Sequence, residues 1–288
     1  MDRQERIGRS IVTVDQMQAI EQSMFEAGMP VAALMEKAAL KLVDRLMQLY
    51  LAPSQVGILV GTGHNGGDAL VVARELSLQG YEIKLHCPVN PTKELTLTHL
   101  NYARRLGLPL CEDLEELHTS DWLIDGLFGF GLSRALSAQA QALIEQVNQW
   151  DKPVVALDLP SGLDGNTGKP WGAAIRAKTT LCLGLWKLGL LQEDALPWVG
   201  QVELIDIGIS PPDPETLQRV TPNWITETLP LPKPPTTHKY EQGHLLLVVG
   251  SDRYPAAAVW PDSVPGRVGW GCCRSPSLAP SNPSWRPS

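Results

Sequence analysis

A glycine-rich turn early in the chain has residue types and a spacing suited to binding an anion. The segment Gly61-Thr62-Gly63-His64-Asn65-Gly66-Gly67-Asp68 follows an apolar run and precedes an amphipathic stretch. Its four glycines let backbone N–H groups approach a ligand closely at a helix start. Asn65 and Asp68 add side-chain ligands that phosphate binding does not require. Because the spacing fits neither common nucleotide-binding fingerprint, an alternative is that Asp68 only caps the helix.

Two further loops with polar residues follow predicted strands. One is Asp125-Gly126-Leu127-Phe128-Gly129-Phe130-Gly131-Leu132-Ser133-Arg134, whose glycines and arginine suit an anion. The other begins at Asp158 and places Ser161 three residues later. Either aspartate could instead cap its own loop. Since ligands of parallel sheets bind beyond the carboxyl ends of the strands, the three loops together favour one shared site.

Lys187 is a lone cation in the apolar run 181–190. A buried lysine needs a carboxylate or a phosphate as its partner. The alternative is a lysine at a strand end whose ammonium group reaches solvent. The sequence leaves both interpretations open.

The elements that must position these residues alternate between strands and helices. Such alternation predicts a doubly wound, Rossmann-like three-layer α/β sandwich with a mostly parallel central sheet. Apolar runs predict strands at 55–60, 83–87, 122–127, 154–157, 180–185 and 202–207. Helical spacing predicts two helices within 13–50 and a third that begins at residue 69. Two further helices are predicted at 98–106 and 136–150.

Composition limits the classes of ligand. A net charge of -7 provides no basic surface for nucleic acid or an anionic membrane, so small molecules are the expected partners. No apolar run reaches the ~20 residues of a membrane span, and the first residues lack the apolar core of a signal peptide, which predicts a cytoplasmic protein. The five cysteines have no metal-ligand spacing and are expected to be reduced. The composition does not decide whether the protein forms a homo-oligomer.

The three loops together resemble the NAD(P)H-hydrate epimerase family, the YjeF N-terminal domain. The family pattern is a glycine turn with Asn-Gly-Gly-Asp, then Asp-x-Leu-Phe-Gly-x-Gly-Leu, then Asp-x-Pro-Ser-Gly. Leu34-Met35-Glu36-Lys37-Ala38 and Asp206-Ile207-Gly208-Ile209 are similar to further family segments, so the resemblance covers about residues 10–210. The chain departs from the family pattern at His64, Ala69 and Lys37, where Asn, Gly and Asn are common. None of these differences removes a proposed ligand.

The resemblance implies interconversion of the R and S forms of NADHX and NADPHX, hydrates with a hydroxyl at the nicotinamide C6. It implies a potassium ion on Asn65, Asp125 and Ser161, an oxygen-rich set suited to a hard cation. Asp158 would exchange the proton of the hydroxyl, and Lys187 would stabilise charge opposite it. Two routes of epimerisation are compatible with the sequence: loss and re-addition of the hydroxyl, or opening of the ring. The implied substrate-binding residues are His64, Asn65, Gly66, Gly67, Asp68, Gly129, Phe130, Gly131, Leu132, Ser133, Arg134, Ala135 and Asp158.

The rest of the chain predicts an incomplete second domain. We expect the epimerase domain at 1–212, a Pro-rich linker at 213–237, and the start of an ADP-dependent, ribokinase-like dehydratase at 238–254. Residues 255–288 have no helical or strand period, and a frameshift would explain them as a disordered tail without dehydratase activity. A bifunctional epimerase and dehydratase is the alternative if the tail is a sequence error. A non-catalytic nucleotide-binding module is a further alternative.

Overall fold

A seven-stranded parallel sheet forms the middle layer of the structure, a computed structural model that describes residues 2–210, residues 217–228 and Thr236. Its strand order is β4-β3-β2-β5-β6-β7-β9, and β1 and β8 form a separate parallel pair. In chain order the strands are β1 (Ile11–Val12), β2 (Gln55–Val60), β3 (Glu82–His86), β4 (Leu110–Cys111), β5 (Trp122–Gly126), β6 (Val154–Leu157), β7 (Thr179–Leu183), β8 (Trp186–Lys187) and β9 (Gln201–Ile205).

Helices cover both faces of this sheet. Those of the first compact unit, Met1–Thr221, are α1 (Arg3–Arg9), α2 (Val14–Glu26), α3 (Val31–Leu49), α4 (His64–Leu78), α5 (Glu94–Arg105), α6 (Ala138–Gln149) and α7 (Leu196–Val199). Side chains of α2 to α5 share one buried core with the sheet, and side chains of α6 share another. This arrangement confirms the predicted doubly wound α/β class. A further helix, α8 (Pro222–Thr228), belongs to the second unit, Pro222–Ser288.

Local sequence explains why the helices that flank the site form where they do. At the start of α2, the Thr13 hydroxyl accepts from the Gln16 backbone N–H, and the Gln16 side chain accepts from the Thr13 backbone N–H. This reciprocal cap satisfies N–H groups that the first turn leaves without partners. In α3, Leu34, Ala38 and Leu42 recur at four-residue spacing and are buried against α4 and the sheet.

The order of the strands creates a switch point between β2 and β5. The chain runs outward from β2 through β3 to β4, and then returns to β5 on the other side of β2. Val60 pairs with Gly126, and the Gly61 N–H donates to the carbonyl of Gly126 at 3.0 Å. The turn after β2 and the loop after β5 therefore lie side by side, where ligands of such sheets bind.

The separate strand pair joins the two ends of the first unit. Val12 of β1 pairs with Lys187 of β8, and Ser10 forms an antiparallel bridge with Gln218. The Ile11 N–H donates to the Leu217 carbonyl at 2.9 Å, and the Arg219 guanidinium lies 4.0 Å from the centre of the Trp186 ring. Residues 217–219 thus belong to the first unit and contact its N-terminal segment and Trp186, although the sequence analysis assigns them to the linker at 213–237.

The predicted elements agree with the observed ones to within a few residues. The sequence analysis did not predict the short helices α1, α7 and α8 or the two-residue strands β1, β4 and β8. Its expectations for 238–254 and 255–288 lie outside the described residues. In the part of the chain that is described, no helix is both long and apolar enough to cross a bilayer.

Gly61→Ala is expected to destabilise the domain, because a Cβ there would overlap the backbone carbonyl of Leu127. Overpacking against backbone should lower the free energy of unfolding by about 3 kcal/mol. Gly63→Ala is the matched control, since a Cβ at Gly63 has no atom within 4 Å and should cost less than about 1 kcal/mol. Urea unfolding at 25 °C measures both. Equal midpoints for the two variants would contradict the close approach of the two loops.

Candidate active site

A cavity of about 600 Å³ lies at the carboxyl ends of the central strands. Its walls come from the first turn of α4, the loop 127–134 after β5, Asp158 after β6, and parts of α2 and α3. The three loops singled out in the sequence thus reach one cavity because their strands are neighbours at the switch point.

Most of the residues predicted to hold the substrate line this cavity. Gly66 and Gly67 are instead buried within the first turn of α4, and Ala135 is exposed beyond the lining segment. Lys187, Asp125 and Ser161 are fully buried and do not line it. The predicted residues that line it are His64, Asn65, Asp68, Gly129, Phe130, Gly131, Leu132, Ser133, Arg134 and Asp158.

A buried ion pair lies at the base of the cavity, where Asp158 lines the cavity and Lys187 lies behind it. Lys187 Nζ donates to Asp158 Oδ1 and to the Leu183 carbonyl, each at 2.5 Å. Lys187 is 0% exposed, so its charge has no contact with water. The pKa of Lys187 lies above its ordinary value, because burial, which lowers it, is outweighed by the Asp158 carboxylate. The sequence analysis allowed either a carboxylate or a phosphate as the partner of a buried Lys187, and the structure shows that the partner is the carboxylate of Asp158.

The backbone at Asp158 adopts a left-handed conformation with φ of 68°. Residues with a Cβ seldom adopt this region, Asn and Asp do so most readily among them, and such conformations are common at functional sites. The conformation aims the side chain so that Oδ1 also accepts from the Leu183 N–H at 3.3 Å and Oδ2 accepts from the Phe130 N–H at 3.2 Å. The carboxylate is therefore held from three elements of the structure.

Two more carboxyl groups line the cavity, on Asp68 of α4 and Glu21 of α2. Burial raises the pKa of Asp68 well above its usual range, and the charges of Asp158 and Glu21 add to the shift. Burial raises the pKa of Glu21 to about 7, with Lys187 opposing and Asp158 adding to this shift. The sequence analysis missed Glu21. It could have been found as a charge on the apolar face of α2, four residues after Met17 and four before Phe25.

Asp125 and Ser161 form a buried polar cluster next to the cavity. Asp125 Oδ1 accepts from Ser161 Oγ at 2.5 Å, and Oδ2 accepts from the Ser161 N–H at 2.7 Å. Burial raises the pKa of Asp125 to about 6, and the hydrogen bonds from Ser161 partly offset that rise. Ser161 Oγ also accepts from the Phe128 N–H at 2.8 Å, which ties the loop after β6 to the loop after β5.

Asn65 is the third residue predicted to bind potassium, and its backbone lies close to Gly126, the residue after Asp125. Its Nδ2 atom is buried and has no hydrogen-bond partner among the described residues. A Cβ placed on Gly126, the residue after Asp125, would lie 3.3 Å from the Asn65 carbonyl oxygen. In the described residues no three His, Cys, Asp or Glu side chains group as a metal site. The oxygen atoms of Asn65, Asp125 and Ser161 are a different set, which suits a hard monovalent cation.

Positive charge is found at the exposed side of the cavity. Lys93 and Arg134 line it with exposed side chains, whereas Asp68 and Asp158 are buried. Helix α4 starts after Gly63 without a side-chain cap, so its first N–H groups are free to bind an anion. The cavity can therefore hold a molecule with an anionic part at its mouth and a neutral or cationic part at its base.

Comparison with known proteins identifies relatives of this domain. The family described as YjeF-related protein N-terminus matches residues 31–189. A protein of Thermosynechococcus vestitus named bifunctional NAD(P)H-hydrate repair enzyme Nnr is 49% identical over 85% of this chain and 50% of its own length. A Leuconostoc mesenteroides protein named NAD(P)H-hydrate epimerase is 35% identical over 70% of this chain and 93% of its own length.

A solved structure supports the fold. The crystal structure of yeast ynu0, YNL200c, matches 73% of this chain and 99% of its own with a TM-score of 0.60 and 18% identity. The chain spans about half the length of the bifunctional relatives that it matches.

Removing one partner of the buried ion pair should destabilise the domain strongly. Lys187→Met leaves the Asp158 carboxylate without its counter-ion, and we expect a loss of about 3–5 kcal/mol in the free energy of unfolding. Asp158→Asn should act in the same direction, and the double variant should lose about 1–3 kcal/mol less than the sum. Urea unfolding of the four proteins measures this coupling.

The control for that cycle is Lys169→Met. Its ammonium lies 3.7 Å from Asp194 in an exposed pair, so we expect a change below about 0.5 kcal/mol. Strict additivity of Asp158→Asn and Lys187→Met would mean that the pair contributes no coupling energy.

Proposed function

The chain belongs to the family of YjeF-related N-terminal domains, and we propose that it interconverts the R and S forms of NADHX and NADPHX, the hydrates of NADH and NADPH. The observation that carries this proposal is the cavity in which the Asp158–Lys187 pair lies at the base and the glycine-rich start of α4 forms a wall. Relatives named NAD(P)H-hydrate epimerase that match this chain over nearly all of their own length support it.

The distribution of charge supports one orientation of the substrate. The pyrophosphate of NAD(P)HX is anionic, and we propose that it binds at the uncapped start of α4 with help from Arg134. The hydrated nicotinamide ring carries no negative charge and would lie deeper, near Asp158. The opposite orientation would bring phosphates against buried carboxylates, which is electrostatically unfavourable.

Asp158 is a proposed catalytic residue, and Lys187 is the residue proposed to position it. Inversion at C6 requires that a bond to this carbon break and form again. Charge can therefore develop on the ring while that bond is broken. Because Asp158 already accepts from Lys187, Leu183 and Phe130, most of its lone pairs are occupied. The sequence analysis gave Asp158 the proton exchange at the hydroxyl; in view of these hydrogen bonds we propose instead that Asp158 acts mainly as a fixed negative charge beside the ring, and that Lys187 positions it.

We further propose that a potassium ion binds to Asn65, Asp125 and Ser161. Two observations support this fit: the Asp125 carboxylate is fully buried with neutral donors only, and the buried amide of Asn65 has an unsatisfied end in the described structure. A half-turn of that amide exchanges its nitrogen and oxygen. When bound, the ion would supply positive charge beside the loops that hold the substrate. Of the three residues, Asp125 and Ser161 join the end of β5 to the loop after β6.

Replacing potassium by tetramethylammonium at equal ionic strength should lower the melting temperature of the protein. At a potassium concentration ten times its Kd, binding adds about 1.4 kcal/mol to the native state, or roughly 3–6 °C for a domain of this size. Asp125→Asn should abolish the difference between the two salts. Lys169→Met, remote from these ligands, should keep it. An equal melting temperature in both salts for the unchanged protein would argue against the ion.

Epimerisation itself is tested with purified R-NADHX and separation of the epimers by chromatography. We expect the protein to speed the appearance of S-NADHX well above the rate without protein, and Asp158→Asn to reduce kcat by about 100-fold or more. Circular dichroism at the assay temperature verifies that the variant is folded. Binding of NADHX without any acceleration would favour a nucleotide-binding module, and full activity of Asp158→Asn would remove Asp158 from the reaction.

A further inference from the structure

The base of the cavity contains more carboxylates than it can hold in ionised form. Glu21 on α2, Asp68 on α4 and Asp158 after β6 all line it, and Lys187 on β8 is the buried cation beside them. Lys187 forms its ion pair with Asp158. Two carboxyl groups are left in a poorly hydrated space, where ionisation is costly unless a positive charge is present.

Hydrogen bonding separates these carboxyl groups into two kinds. Asp158 accepts three hydrogen bonds and is fixed in place. In the described part of the chain, the side chains of Glu21 and Asp68 make no hydrogen bond or ion pair, although both face the cavity. Unpaired carboxyl groups on two walls of the cavity indicate that a polar ligand satisfies them.

Glu21 is better placed than Asp68 for exchanging protons. Asp68 is only 8% exposed and lies in α4 just after its first turn, whereas Glu21 is partly exposed and extends from a separate helix. The partial exposure of Glu21 lets its carboxyl proton exchange with solvent between turnovers. The pKa of about 7 that burial gives Glu21 agrees with this role, because it lets the group both donate and accept near neutral pH.

We propose that Glu21 is a catalytic acid and base of the epimerisation, acting directly on the hydroxyl at C6 of the bound hydrate. This inference rests on the proposed function. As the C6–O bond breaks, its electron pair leaves with the oxygen, the Glu21 proton joins that oxygen, and water forms. The lone pair of the ring nitrogen forms a C6=N bond, which gives a cationic iminium ring. Water then adds to the other face and its proton returns to Glu21, so that atoms and charge balance.

The charge of the cavity favours this route over ring opening. The iminium ring is a cation, and it would form beside the Asp158 carboxylate and the newly ionised Glu21. Buried carboxylates stabilise such a cation strongly because little water screens them. Ring opening gives a neutral aldehyde and would gain nothing from this negative surrounding.

Glu21→Gln tests the assignment, with Glu26→Gln as the matched control. Glu26 is on the same helix but exposed, and its Oε1 accepts from Gln22 Nε2 at 2.8 Å, outside the cavity. We expect Glu21→Gln to lower kcat for R-NADHX by 10²–10⁴-fold with little change in KM, and Glu26→Gln to leave both unchanged. Glu21→Asp should restore part of the activity. An unchanged kcat in Glu21→Gln, beside an active parent protein, would overturn the inference, whereas an inactive parent would instead overturn the proposed function.

The pH dependence of kcat and the melting temperature of Glu21→Gln distinguish a catalytic role of Glu21 from a merely structural one. The parent kcat should fall above about pH 7 as Glu21 loses its proton, and Glu21→Gln should lack that fall. The groups that face Glu21 are Lys187, Asp158 and Asp68. Because the folded pKa of Glu21 lies above the unfolded one, ionisation destabilises the native state at high pH. Glu21→Gln should therefore melt at a higher temperature than the parent at pH 8, and this gain should shrink towards pH 5.

Two results would contradict the proposal independently of the kcat value. One is a lower melting temperature of Glu21→Gln at pH 8, which would mean that Glu21 stabilises the fold. The other is a pH profile that Asp68→Asn flattens and Glu21→Gln leaves intact, which would assign the proton to Asp68.

Discussion

The buried ion pair between Lys187 and Asp158 is the constraint on which the rest of the site depends. A fully buried ammonium group requires a counter-ion at short range, because desolvation of a lone charge costs several kcal/mol. The pair therefore fixes the distance between the end of β6 and strand β8. Strand β1 in turn holds β8 by parallel pairing, so the N-terminal segment is part of the framework of the site.

The same charges organise the cavity from its base to its mouth. Buried carboxylates line the interior, whereas exposed cations and the uncapped N-terminus of α4 line the opening. A net-acidic protein can bind an anionic dinucleotide in this way because local donors, and not the overall charge, meet the phosphates. The acidic interior then remains available for a ring that becomes positive during the reaction.

Much of the fold and part of the site could be predicted from the sequence. Apolar runs located the long strands, because a buried parallel strand is apolar along its length, and the loops after them contained most of the residues that line the cavity. Strands β1 and β8 were missed because two residues have no periodicity, and their pairing joins positions 175 residues apart (187 minus 12). Glu21 was missed because helical spacing shows which residues share a face but not which cavity that face meets. The potassium ligands and catalytic roles remain proposals.

The left-handed backbone at Asp158 restricts which amino acids this position can accept. Asparagine and glycine fit the backbone but lose the charge, and glutamate keeps the charge but meets a steric penalty and has a longer side chain. Aspartate is the residue that meets both requirements at once. In any descendant that keeps Lys187, a substitution of Asp158 alone should therefore not be tolerated. The two residues would have to be replaced together.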